Sequence, residues 1–351
     1  MDFIGNVPSR KVGNFSPCDF GKGVRFLKRM RKVSMRRYSK LILCGMSAII
    51  FLYFASAAWV TWKMTQRRLP QRVETPPQVS WGEIEPIYLE TADDEQIGAW
   101  LLRGQTAGDC VLLLHANGCS RQSMLPIAAD LSRNGYTALW ISFRAHGDST
   151  GNINDFGYSG RHDVLAAVNW LEQNFPGQRI FIVGRSLGAA AAIFAADQLE
   201  GRVSGYLLEA PYKDLECAVW YRLRSSLPAP FNHIAYLGTR LWAPLFLGVD
   251  PVKISPYKYA PTIAAQSPVT MLFGGDDHFA PLSDGVQLAQ TMQCPVKIIT
   301  FEGATHQPLY AWDAGRYETA LYELLGSWSP QSLGGTLADE RIPPQSSLPL
   351  R

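Results

Sequence analysis

Residues 181–194, FIVGRSLGAAAAIF, set a serine between two glycines, Gly184-Arg185-Ser186-Leu187-Gly188, where an apolar run gives way to an alanine-rich one. A strand that turns abruptly into a helix brings backbone segments too close for side chains, which explains glycine at 184 and 188. Such a turn pushes the hydroxyl out above the sheet, beside the N–H groups of the helix start, in the pattern called a nucleophile elbow. A serine at a helix start also serves as a simple N-cap, so the motif needs partners. An alcohol is a poor nucleophile near neutral pH without a base to take its proton and an acid to orient that base. Of the six histidines, His115, His146, His162, His233, His278 and His306, only His306 directly follows the last strand-like run, in FEGATHQPLY. One run earlier, FGGDDHFAP offers Asp276 and Asp277 as acids.

The elements that must position these residues alternate. Strand-like runs cover 110–115, 136–143, 179–184, 203–210, 268–274 and 295–303, preceded by two strands around an Asp-Asp turn within PIYLETADDEQIGAWLLRG. Helical patterns fill 121–134, 159–174, 186–199, 282–292 and 314–327. Apolar strands separated by helices predict an α/β fold with a mostly parallel central sheet covered on both faces. Ligands in such sheets sit at the carboxyl ends of the strands. Residues 211–265 break the alternation with a helical, aromatic stretch placed to form a small cap. Its Trp220, Tyr221, Phe231, Tyr236, Trp242 and Phe246 are expected either to line an acyl-binding cleft or to pack the cap onto the sheet.

Over about residues 82–328 the chain resembles the α/β-hydrolase superfamily. The order Ser186, Asp277, His306 is that family's Ser…Asp…His order. GGDDHFAP is similar to its Gly-x-x-Asp-x-x-x-Pro, mapping onto Gly274, Asp277 and Pro281, and this selects Asp277 over Asp276. LLLHANGCSRQSMLPIAADLSRNGYTALWISFRAHGDSTG resembles the family's His-Gly oxyanion loop, helix and Asp-x-Arg-Gly-His-Gly-x-Ser segment. Three positions depart from the pattern: Ala116 and Ala145 replace glycines, and Ser142 replaces the strand-end aspartate. The resemblance implies an oxyanion hole from the N–H groups of Asn117 and Leu187. It implies loop-shaping roles for His115, His146, Asp148 and Ser149. The chemistry implied is acyl transfer from an ester or thioester through an acyl-enzyme, without metal or organic cofactor. A serine peptidase of the same fold and a tethered, non-catalytic binding protein are the alternatives.

Charge and hydropathy place the domain. Residues 1–40 hold eleven Lys/Arg against two Asp, net +9, and the remainder of the chain carries net −6. The basic arm runs into Leu41 to Trp62, twenty-two residues without a charge, long enough to span a bilayer. Nine Lys/Arg lie in the twenty residues before this run and four, Lys63, Arg67, Arg68 and Arg72, in the twenty after, which predicts a cytoplasmic N-terminus and a domain on the non-cytoplasmic side. A start at Met35 with cleavage at Ala55-Ser56-Ala57 would instead give a secreted protein. No nucleic-acid motif accompanies the basic arm, whose expected partner is the membrane. The expected organisation is a basic segment 1–40, a transmembrane helix or signal anchor 41–62, a Pro/Gln-rich linker 63–81, the hydrolase domain 82–328 with its cap at about 211–265, and a disordered tail 329–351. The six cysteines show no metal-binding spacing, and a disulfide among Cys110, Cys119, Cys217 and Cys294 is left open. Membrane tether and cap together point to a lipid-like acyl substrate.

Overall fold

Eight strands form one sheet in the order β1-β2-β4-β3-β5-β6-β7-β8. The computed structural model describes residues 17–67, 70–104 and 108–326; the expected tail 329–351 and the first residues of the basic arm lie outside the described residues. The strands are β1 Ile84–Glu90, β2 Gln96–Leu102, β3 Cys110–Leu114, β4 Thr137–Ile141, β5 Ile180–Arg185, β6 Gly205–Glu209, β7 Val269–Gly274 and β8 Val296–Phe301. β2 runs antiparallel to both β1 and β4, and every other pairing is parallel. All eight match strand-like runs of the sequence.

The helices are α1 Pro17–Thr65, α2 Leu125–Arg133, α3 Gly160–Asn174, α4 Leu187–Leu199, α5 Leu215–Ser226, α6 Phe231–Leu247, α7 Pro256–Tyr259, α8 Leu282–Ala289, α9 Leu309–Trp312 and α10 Ala314–Gly326. Period-two alternation sends successive strand residues to opposite faces. Cys110, Leu112 and Leu114 of β3 join Ile180 and Ile182 of β5 in a core roofed by α3, α4 and α8. Val111, Leu113, Phe181 and Val183 face the other core, closed by α2 and α10. Helix α4 is buried along nearly its whole length. Its alanines let it lie close against the sheet without helix-breaking side chains. Helices α5, α6 and α7 fall between β6 and β7, where the cap was expected.

The chain divides into two units, Met1–Ser56 and Ala57–Arg351. Among its described residues the first consists of α1 as far as Ser56; the stretch Arg37–Thr65 of α1 is long and apolar enough to cross a membrane. The expected span 41–62 therefore sits inside a longer helix that also takes in much of the basic arm, since Lys and Arg are good helix formers. The last turns of α1 belong to the second unit. Beyond them the expected linker 63–81 is not a free spacer. Gln66 bridges to Ile153, the Asn154 N–H donates to the Thr65 carbonyl at 2.7 Å, and Glu74 is buried. Long polar side chains let this irregular segment satisfy its own groups on the domain surface. Cys110, Cys119, Cys217 and Cys294 are free thiols.

Candidate active site

Ser186 sits between β5 and α4 at φ 49° and ψ −105°, a backbone conformation that costs an L-residue energy and is held only by its surroundings. Those surroundings explain both glycines. A Cβ on Gly188 would lie 2.4 Å from the Leu114 carbonyl oxygen, and one on Gly184 would lie 2.8 Å from the Ala189 nitrogen. The Ser186 N–H donates to the Glu209 carbonyl at 2.7 Å, pinning the turn to β6. Its side chain is then free to face the carboxyl rim.

There the Ser186 Oγ lies 3.1 Å from His306 Nε2. His306 Nδ1 lies 2.7 Å from Asp277 Oδ2. With Nδ1–H donating to the carboxylate, the Nε2 lone pair faces the serine hydroxyl, the tautomer a general base needs. The second oxygen of Asp277 accepts from the N–H groups of Phe279 and Ala280 at 2.8 and 2.9 Å, so the carboxylate cannot swing away. Asp277 is buried, whereas Asp276 and His278 are exposed. Ser186, Asp277 and His306, separated by 91 and 29 positions in the chain, thus meet at one lip.

Leu187 opens α4, and the first N–H groups of a helix have no intrahelical acceptor. In the facing loop, the Gly118 N–H donates to His146 Nε2 at 3.2 Å and the Cys119 N–H to the Ala116 carbonyl at 3.1 Å. The Asn117 side chain accepts from Asn154 at 2.8 Å, which holds this residue in place. Ala116 does not need to be glycine, because Gly118 takes the left-handed conformation instead (φ 73°). Ala145 does carry the strain of a lost glycine, at φ 59°. His115 is fully buried between the Ala116 carbonyl and the Phe143 N–H, at 2.7 and 3.0 Å. Burial holds its ring well below the usual histidine value, so it stays neutral.

Three supporting residues escaped sequence reading. Ser142, standing in for an aspartate, donates to Glu74 Oε2 at 2.5 Å, so the missing carboxylate arrives from the segment beyond α1. Arg121 is buried against Asp148 through two bonds of 2.7 Å and lies 4.9 Å over the Trp100 ring. Glu209 accepts from Arg185 Nε and from the Leu309 N–H, each at 3.1 Å, joining the elbow to the chain just beyond His306. Burial raises its carboxyl to about 7 even beside Arg185. The only signal for Glu209 was a carboxylate closing an otherwise apolar strand. Glu74 and Arg121 gave none. Of the six cap aromatics, Tyr236 alone lines the cavity between the end of α1 and the cap. Among the described residues no cluster of metal-ligating side chains occurs.

Strand order, elbow and rim define the class: the chain has the α/β-hydrolase fold. A profile for the alpha/beta hydrolase fold matches residues 109–250. Human protein ABHD12B is 25% identical over 265 residues, covering 68% of this chain and 67% of that one. Protein bem46 of Schizosaccharomyces pombe is 28% identical over 156 residues, covering 42% and 50%. Curated relatives are thus matched over roughly half to two thirds of their length. An esterase of Pyrococcus furiosus superposes with a TM-score of 0.60 at 23% identity, covering 74% of this chain and 99% of its own. At that identity the likeness is one of fold.

Proposed function

We propose that this chain is a membrane-anchored serine hydrolase that cleaves carboxylic esters or thioesters of lipid-like acids. The observation that carries the reading is the hydrogen-bonded chain from Ser186 through His306 to Asp277, with the serine on a strained turn. His306 Nε2 takes the hydroxyl proton as Oγ attacks the substrate carbonyl carbon. The oxyanion that forms accepts from the N–H groups of Leu187 and Asn117. As the tetrahedral intermediate collapses, His306 returns the proton to the leaving alkoxide or thiolate, and an acyl-enzyme remains. Water, deprotonated by the same ring, attacks the acyl carbon and frees Ser186.

Support for a lipid-like substrate comes from the apolar surfaces of the cap. Leu215, Val219, Tyr236, Ala243 and Leu247 help line a small open hollow of about 60 Å³ that also takes in Met64 of α1. The apolar stretch of α1 anchors the chain, and the excess of basic residues ahead of it sets the N-terminus in the cytoplasm.

A fluorophosphonate probe tests the central claim. The expected result is labelling that depends on Ser186, with Ser186→Ala leaving a folded chain whose ester turnover is lower by about four to six orders of magnitude. Failure of the folded wild type to label would favour a tethered binding protein. Turnover of aminoacyl amides over short and long p-nitrophenyl esters would favour a peptidase.

A further inference from the structure

Cap helix α6 is built inside out. Its buried residues are Asn232, Gly238, Thr239 and Leu247. Phe231, Leu237, Leu241 and Leu245 keep 61%, 63%, 57% and 67% of their surface exposed. At helical spacing these four side chains share an arc of about 120°, with exposed Pro244 at its edge. A helix at a water-facing surface carries the opposite pattern, and a contiguous exposed apolar patch marks a binding surface.

The other side of α6 says what covers the patch. Tyr236, Thr239, Ala243 and Leu247 line one cavity together with Thr61, Met64 and Thr65, the last turns of α1. That end of α1 carries the exposed tryptophans Trp59 and Trp62, followed by Lys63, the residue types that settle where hydrocarbon meets headgroup. The seventeen residues of α6 therefore lie beside the point where the apolar stretch ends. We propose that α6 lies in the headgroup layer of the bilayer that α1 crosses, its Phe231/Leu237/Leu241/Leu245 stripe sunk among the acyl chains; this rests on the reading of α1 as a spanning helix. The nearness of α6 to the tryptophan-bearing end of α1, through the cavity the two line together, favours lipid over a second copy of the chain. Arg240 of the same helix holds an exposed guanidinium, paired with the exposed Glu216 at 3.5 Å. The cap then holds the rim that carries Ser186 against the source of a lipid-like substrate.

The full chain in phosphatidylcholine vesicles, carrying the photoreactive residue benzoylphenylalanine at position 237, 241 or 245, tests this. Irradiation is expected to give a phospholipid adduct at each, and none when the residue replaces exposed Glu323 on α10. Adducts of twice the chain mass would assign the stripe to a second copy and overturn the proposal. So would retention of the chain through alkaline carbonate extraction with no lipid adduct at the three positions. Release of the chain by carbonate would instead sink the spanning reading, and the docking of α6 with it.

Discussion

The candidate catalytic rim and the cap bury opposite things. At the rim, strands β3 to β7 are apolar and enclosed, and the polar groups at their ends are tied to partners: Asp277 to two backbone N–H groups, Glu209 to Arg185 and Leu309, His115 to two backbone groups. In α6, Asn232, Gly238 and Thr239 are buried while Phe231, Leu237, Leu241 and Leu245 are exposed. An enclosed core explains the first arrangement. The second leaves an apolar stripe uncovered, the mark of a surface that binds something other than water.

The largest effect that could break this contrast lies within the rim. If the network there is functional, its two adjacent acids must differ sharply. Asp277→Asn is expected to lower turnover by about 10⁴, because an amide favours the wrong tautomer of His306. Asp276→Asn, exposed and with no contact to the imidazole, should leave turnover nearly unchanged. Steady-state ester hydrolysis by the two variants checks the ranking, and a reversed order would move the acid to residue 276.

Next in size is the ion network behind the oxyanion loop. Arg121→Ala leaves the buried Asp148 carboxylate without its two bonds and removes the cation over Trp100. Losing one partner of a buried pair costs about 3–5 kcal/mol. Urea denaturation should show that loss. A change below about 1 kcal/mol would mean that water reaches the site and that the rim is less enclosed than described.

These residues also mark where the sequence was legible. Ser186 and its glycines form a local motif, and His306 follows a strong strand, so both could be read from a few neighbours. Choosing Asp277 over Asp276 required the family's pattern, and burial separates them in the structure. Glu74 was illegible because it lies in a Pro/Gln-rich stretch without periodicity and meets Ser142 68 positions later. Arg121 looked like one more polar residue at a helix start. The cap was read as aromatic and helical, correctly, but an inverted helix has the same composition as an ordinary one; only the direction of its faces differs.

Acidity gives a subtler probe of the enclosure. His115 is held neutral by burial, whereas in the unfolded chain it titrates near 6.5. Below that pH the unfolded chain binds a proton that the native state refuses. The contribution to stability, present above pH 6.5, falls by about 1.4 kcal/mol per unit as pH drops. Glu209 acts in the opposite sense: raised to about 7, it keeps a proton in the native state, and its contribution is lost as pH rises through that value. The two oppose each other in the wild type, so the difference between wild type and His115→Asn isolates the histidine. Denaturation midpoints should converge as pH falls from 6.5 towards 5. A constant difference would place the ring in contact with solvent.

The smallest expected effect discriminates most directly between rim and cap. Leu113 on β3 is fully buried, and Leu113→Ala should cost about 2–5 kcal/mol by removing apolar contact and leaving a cavity. Leu241 keeps 57% of its surface exposed in the folded chain. Leu241→Ser, measured on the chain in mild denaturant without vesicles, should therefore stay within about 0.5 kcal/mol of wild type. A loss approaching that of Leu113→Ala would mean that Leu241 packs against another part of the same polypeptide. Its outward face would then be part of an internal core, and the contrast between cap and rim would disappear.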